Sequence, residues 1–167
     1  MAYFETWQIN EAELRSVYFH VSHTHYELPD GSLLSVHQDS GWCYECQDVV
    51  AVEKLQSLKE IAKWIQQLED GISPIIQVLS SHGIEILKEE LPRRREWRIA
   101  RTSAARCLNC GATDFFRLAD DSQIKSKVCW TEPVNGLRFM QTARGHASMG
   151  SETAKRLTAE GVINAIG

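Results

Sequence analysis

The sequence predicts one α+β domain, and three observations predict it. Short runs of aromatic and β-branched residues, separated by turn residues, fill 18–52 and recur after residue 93, as expected of antiparallel strands. Between them, 53–91 changes to apolar residues spaced by three and four, the period of helices. Two Cys-x-x-Cys pairs, Cys43 with Cys46 and Cys107 with Cys110, bracket that helical stretch. With 167 residues, 43% hydrophobic and 24% charged, the chain has the size and composition of a single ordered domain with a sizeable core.

The elements follow in order. Residues 11–16 open with an acidic segment compatible with a helical turn and lead into VYFHVSHTHYEL, which alternates as a strand does. Pro29, Asp30 and Gly31 supply turn chemistry, so SLLSVHQ reads as the returning strand of a hairpin. After the first cysteine pair, DVVAVE is β-branched and predicts another strand. Leu55, Leu58, Ile61, Ile65 and Leu68 then form one apolar helical face, stopped at Gly71. A second helix is expected from Ser73 and Pro74, continuing through Gly83 or breaking there, and ending at Pro92. The arginine-rich run from 93 onward reads as extended, with Trp97 and Ile99 on one side, and DFFRL reads as a short strand. Asn135 and Gly136 mark a tight hairpin turn, and 150–161 reads as a C-terminal helix capped near Ser151 and stopped at Gly161. The resulting plan is a β core at 18–52 and 93–148, a two-helix insertion at 53–91, and that C-terminal helix.

The four paired cysteines carry the strongest chemical signal. A Cys-x-x-Cys turn lets two thiolates converge on one ion, and two such turns complete the four-sulfur tetrahedron of a closed zinc site. Gly111, directly after Cys110, tolerates the positive φ that closes such a turn. A redox dithiol would sit at the start of a helix, and neither pair precedes a helical pattern. WCYEC and RCLNCG therefore resemble the two knuckles of zinc-ribbon, rubredoxin-knuckle proteins, each followed by a strand-like run. The likeness implies facing β-hairpins that share a structural zinc held by Cys43, Cys46, Cys107 and Cys110. It departs in spacing: sixty residues separate the pairs, against about 15–20 in ordinary ribbons. Treating 53–91 as an insertion brings the interval close to the usual one. Cys129, beside Trp130, reads as a core thiol.

Charge is distributed unevenly about a net −4. Residues 1–50 hold eight acids against Arg15 alone, and from 91 onward thirteen bases face seven acids. Either two halves of one fold attract each other, or each half presents its own binding surface. The N-terminal segment has neither the basic start nor the apolar run of a signal peptide, and no apolar stretch approaches the length of a membrane span, so a cytoplasmic protein is expected.

Three functions follow as expectations. The first is a non-enzymatic protein-binding module with structural zinc. In size, acidity and lack of a catalytic motif it resembles bacterial immunity proteins, which implies docking of a basic toxin domain on Glu27, Asp30, Asp39, Glu45 and Asp48. The second is a nucleic-acid or transcription-related zinc ribbon that uses Arg94, Trp97 and Arg98, an arginine-aromatic combination suited to phosphates and base stacking; the pI of 5.9 weighs against general nucleic-acid binding. The third is a metal-dependent hydrolase at His23 and His25, which share a strand face with Glu27 and stand near His20 and His37 in sequence.

Overall fold

The structure is a computed structural model that describes residues 2–19, 23–71, 79–118, 134–147 and 154–164. His20, Ser73, Pro74, Cys129 and Ser151 lie outside the described residues.

The fold is α+β, with three small sheets and two helices among the described residues. The first sheet pairs β1 (Ala2–Ile9) with β2 (Glu13–Phe19) on one side and β8 (Phe139–Ala147) on the other, both antiparallel. Residues 11–16 are therefore turn and strand, not helix. Asn10 and Glu11 take φ of 47° and 65°, a left-handed turn that reverses the chain before a helix can begin. In β2 only Val17 and Phe19 are buried.

The second sheet is the predicted hairpin, β3 (Thr24–Glu27) against β4 (Leu33–Ser35), joined by a parallel β9 (Lys155–Thr158). The expected helix over 150–161 is thus overturned across 155–158. Leu157 is fully buried beside Tyr26, Leu34 and Trp97, so burial of one side chain and pairing to β3 outweigh helix propensity. Gly161, at φ 77°, closes the turn that follows β9 rather than stopping a helix.

The third sheet places β5 (Gln38–Cys43) between β6 (Asp48–Glu53) and β7 (Phe115–Arg117), the strands expected around the two cysteine pairs. It packs on the first sheet, with Trp42, Val49 and Leu118 against Trp7, Ile9, Val17, Phe19 and Phe139. The Trp42 and Phe139 rings meet at 5.6 Å. Asn135 and Gly136 form the expected tight turn, both with positive φ, and Val134 and Leu137 exchange two 2.9 Å backbone bonds across it.

The helical excursion is narrower at its start and longer at its end than 53–91. Helix α1 (Leu58–Glu69) begins at a capping box: the Ser57 hydroxyl accepts from the Glu60 amide, and the Glu60 carboxylate accepts from the Ser57 amide. Helix α2 (Ser81–Ala100) is capped by Ser80 and runs through Pro92. The arginine-rich run over 93–100 is therefore helical, and it belongs to the insertion rather than to the β core.

Pro92 removes one backbone donor, at a typical helix-interior cost of about 3 kcal/mol. Its position is solvent-exposed, where water can take the carbonyl it leaves open. On the opposite face Leu91, Arg94 and Trp97 are all buried and hold the helix down on both sides of the proline. The two helices themselves share a small core of Ile61, Leu68 and Leu91.

Candidate metal centre and its surroundings

The first knuckle is the β5–β6 turn. Cys43 is the last residue of β5 and pairs with both Asp48 and Phe115, which fixes it between two strands. Gln47, at φ 51°, reverses the chain so that the Cys46 thiol returns toward Cys43. The second knuckle is bound to β6, at the edge of the third sheet, rather than to a ribbon of its own. The Leu108 amide donates to the Ala51 carbonyl at 3.0 Å, and Cys107 bridges Val52. The Gly111 amide donates to the Cys107 carbonyl at 2.9 Å, and Gly111 has φ 80°, as its place after Cys110 predicts.

These two turns bring all four sulfurs within 4.8 Å of one another. Cys43 Sγ lies 3.6 Å from Cys110 Sγ, and Cys46 Sγ lies 3.9 Å from Cys107 Sγ. A tetrahedron with metal-sulfur bonds of about 2.3 Å has edges of about 3.8 Å, so the set has the dimensions of a four-thiolate site. The Asn109 amide donates to Cys107 Sγ at 3.3 Å and its side chain to Cys46 Sγ at 3.5 Å, as knuckle backbones do to stabilise thiolate charge.

The thiols differ in setting. Cys43 and Cys107 are fully buried, Cys46 is half-buried and Cys110 exposed. Burial pushes the Cys107 thiol up to about 12 and also raises Cys46. For Cys110 burial acts the same way but is outweighed by the Ala112 backbone and neighbouring thiols, and its pKa falls. Closing the site on a divalent ion would therefore release protons from buried thiols that hold them at neutral pH.

Next to the sulfurs lies a second junction that the sequence reading missed. Glu53, the last residue of β6, and Arg101, the C-cap of α2, form a fully buried two-pronged ion pair, with Nη1–Oε1 at 3.0 Å and Nη2–Oε2 at 2.7 Å. Glu53 also accepts from the Tyr26 hydroxyl and the Arg106 amide, both at 2.7 Å. The Arg101 guanidinium is 5.3 Å from the ring centres of both Tyr26 and Trp97. Burial by itself would lower the Arg101 pKa; the bonds and charge of Glu53 more than reverse this and raise it. Gly161 packs so tightly here that a Cβ would stand 2.5 Å from Arg101 Nη2 and 2.6 Å from Glu53 Oε1.

The other expected site residues separate into groups. Asp39 is bonded to Arg117 and Asp48 to Arg15, whereas Glu27, Asp30 and Glu45 stay exposed. The Asp39–Arg117 pair joins the acidic first fifty residues to the basic last part of the chain, as the charge asymmetry allows, and Glu53–Arg101 adds a second such tie from just beyond the acidic part. Arg94 and Trp97 are not on a surface. Arg94 donates to the Ser35 carbonyl at 2.6 Å and pairs with Glu90, and the Trp97 indole donates to the Ala159 carbonyl at 2.7 Å. Arg98 donates to the Gln56 carbonyl at 3.0 Å. Both Arg94 and Trp97 are turned inward, so a nucleic-acid strand could not reach them in this conformation.

His23 and His25 acquire no third ligand: the four cysteines are the one group of three or more metal-binding side chains that converges among the described residues. The β3–β4 register sets His25 opposite Ser35, and the Val36 amide bonds the Thr24 carbonyl, so His37 falls beyond the pairing. No described helix is long and apolar enough to cross a membrane. No protein family, curated protein or solved structure matches this chain.

Proposed function

We propose that this protein is a non-enzymatic binding module whose β scaffold is braced by structural zinc at Cys43, Cys46, Cys107 and Cys110. The observation that carries the reading is the completeness of the sulfur set: four protein ligands fill a tetrahedron, leaving no coordination position for a substrate or an activated water. The docking surface in this reading is the acidic end of the β3–β4 hairpin. Glu27, Pro29 and Asp30 are exposed there beside the partly exposed Leu33, and a shallow cavity lies between Glu27 and Glu160. Apolar and acidic groups side by side suit a basic protein surface. Inhibition of a basic toxin domain, in the manner of an immunity protein, is the narrowest form of this proposal.

Two measurements test it. Protein purified without chelator should contain one zinc per chain, and Cys110→Ser should lose it. Charge reversal at Glu27 and Asp30 should abolish salt-sensitive capture of a basic partner while leaving zinc content unchanged. Metal-free native protein, or partner capture indifferent to the reversal, overturns the proposal.

A further inference from the structure

The four sulfurs share one site but not one exposure. Cys110 is exposed, Cys46 is half-buried, and Cys43 and Cys107 are shut off from solvent. A small solute approaching the cluster therefore meets Cys110 first. Two sulfur contacts cross from one knuckle to the other, Cys43 Sγ to Cys110 Sγ at 3.6 Å and Cys46 Sγ to Cys107 Sγ at 3.9 Å. Asn109 donates to Cys107 Sγ through its backbone amide, at 3.3 Å, and to Cys46 Sγ through its side chain, at 3.5 Å. A sulfur that accepts such a bond has an electron pair engaged and attacks less readily. Cys43, in contact with the outermost sulfur, is the neighbour best placed to react with it.

Oxidation of a cysteine follows exposure and thiolate character, and a reversible site has a second sulfur within reach to resolve the first product. In the zinc-braced protein of the preceding reading, on which this inference rests, all four sulfurs are thiolates. Cys110 then combines exposure with charge, and Cys43 supplies the second sulfur.

We propose that Cys110 is an oxidation site, and that a peroxide converts the zinc centre into a Cys43–Cys110 disulfide joining the two knuckles. The Cys110 thiolate attacks one oxygen of hydrogen peroxide; an S–O bond forms, the O–O bond breaks, and hydroxide leaves. The Cys43 thiolate then attacks the Cys110 sulfur, so that the S–S bond forms and the S–O electron pair departs as a second hydroxide. Each thiolate gives up one electron, and the peroxide takes both. Cys46 and Cys107 remain, half of a four-sulfur set, and the site gives up its metal. The disulfide closes the loop that the metal had closed, so oxidation exchanges one brace for another, and a dithiol reverses it.

The experiment treats the intact protein, its zinc content measured beforehand, with hydrogen peroxide. In parallel samples, zinc release is followed with a chromogenic chelator against an untreated control, sulfenic acid is trapped with dimedone, and disulfides are mapped by mass spectrometry of non-reduced peptides. Dimedone should label Cys110 before any other cysteine, and a Cys43–Cys110 disulfide should form as zinc is lost. The amides of 41–53 and 105–117 should keep their dispersion in the oxidised protein, and dithiothreitol with added zinc should restore the metal. Protein isolated without zinc sinks this inference together with the reading it rests on. Zinc-loaded protein overturns this inference alone if it keeps its metal under peroxide, is labelled first at another cysteine, forms its first disulfide between any other pair, or loses that dispersion once oxidised.

Discussion

Two junctions tie the helical excursion to the β scaffold, and they do so by opposite means. The sulfur junction joins the β5–β6 turn to residues 107–110; the charge junction joins the end of β6 to the end of α2 through Glu53 and Arg101. Both therefore close the same loop, but one would draw on an ion from outside, which its four cysteines could hold, and the other carries its counter-charge within the chain. The sulfur junction is open on one side, at Cys110, whereas both side chains of the charge junction are fully out of solvent. The first can be undone by chemistry in solution; the second only by mutation or unfolding.

Removing metal should have the largest effect. Structural four-ligand zinc sites are worth on the order of 10 kcal/mol at neutral pH, so Cys107→Ser or exhaustive chelation should unfold the 41–53 and 105–117 region, seen as lost amide dispersion there. If those amides keep their shifts without metal, the charge junction alone holds the loop.

Arg101→Met leaves Glu53 buried and unpaired and should cost about 3–5 kcal/mol in chemical denaturation. The double variant Glu53→Gln, Arg101→Met should recover part of that loss, since the penalty lies in the orphaned charge. Equal losses in single and double variants would show that packing on Tyr26 and Trp97, not charge, makes this junction.

Acid should act on a group that belongs to neither junction. His37 has a folded pKa of about 4 against 6.5 unfolded, so the unfolded chain binds its proton first. The stability it contributes is complete above pH 6.5 and is lost as pH falls to about 4, up to about 3 kcal/mol. His37→Phe should flatten that part of the stability-pH curve, measured on metal-free and zinc-loaded samples alike. The smallest effect belongs to the exposed Arg15–Asp48 pair: Asp48→Asn should change stability by less than about 1 kcal/mol.

The sulfur junction was legible in the sequence because cysteine spacing is itself the geometry of the site. The charge junction was not, and the reason is specific. The buried stripe of α2 is Leu91, Arg94, Trp97 and Arg101, at helical steps of three, three and four. Two arginines on that stripe disguise it as polar, so the run reads as an extended basic segment. A search that credits arginine with an apolar stem and a planar head able to stack would recover the period. The start of α1 was also written in the chain, as Ser57 and Glu60 spaced for a capping box. Strand β9 had no such local mark: among the buried core it contributes only Leu157, and its partner β3 is remote in sequence.

That remoteness governs how the chain can assemble. Ala2 on β1 pairs with Ala147 on β8, and Thr24 on β3 pairs with Lys155 on β9, so two of the three sheets join strands more than a hundred residues apart. The sheet bearing the cysteines needs nothing beyond Arg117. Of the three, it is the first able to close as the chain is made, and the β1–β2 and β3–β4 ribbons wait with an unpaired edge until β8 and β9 have been made.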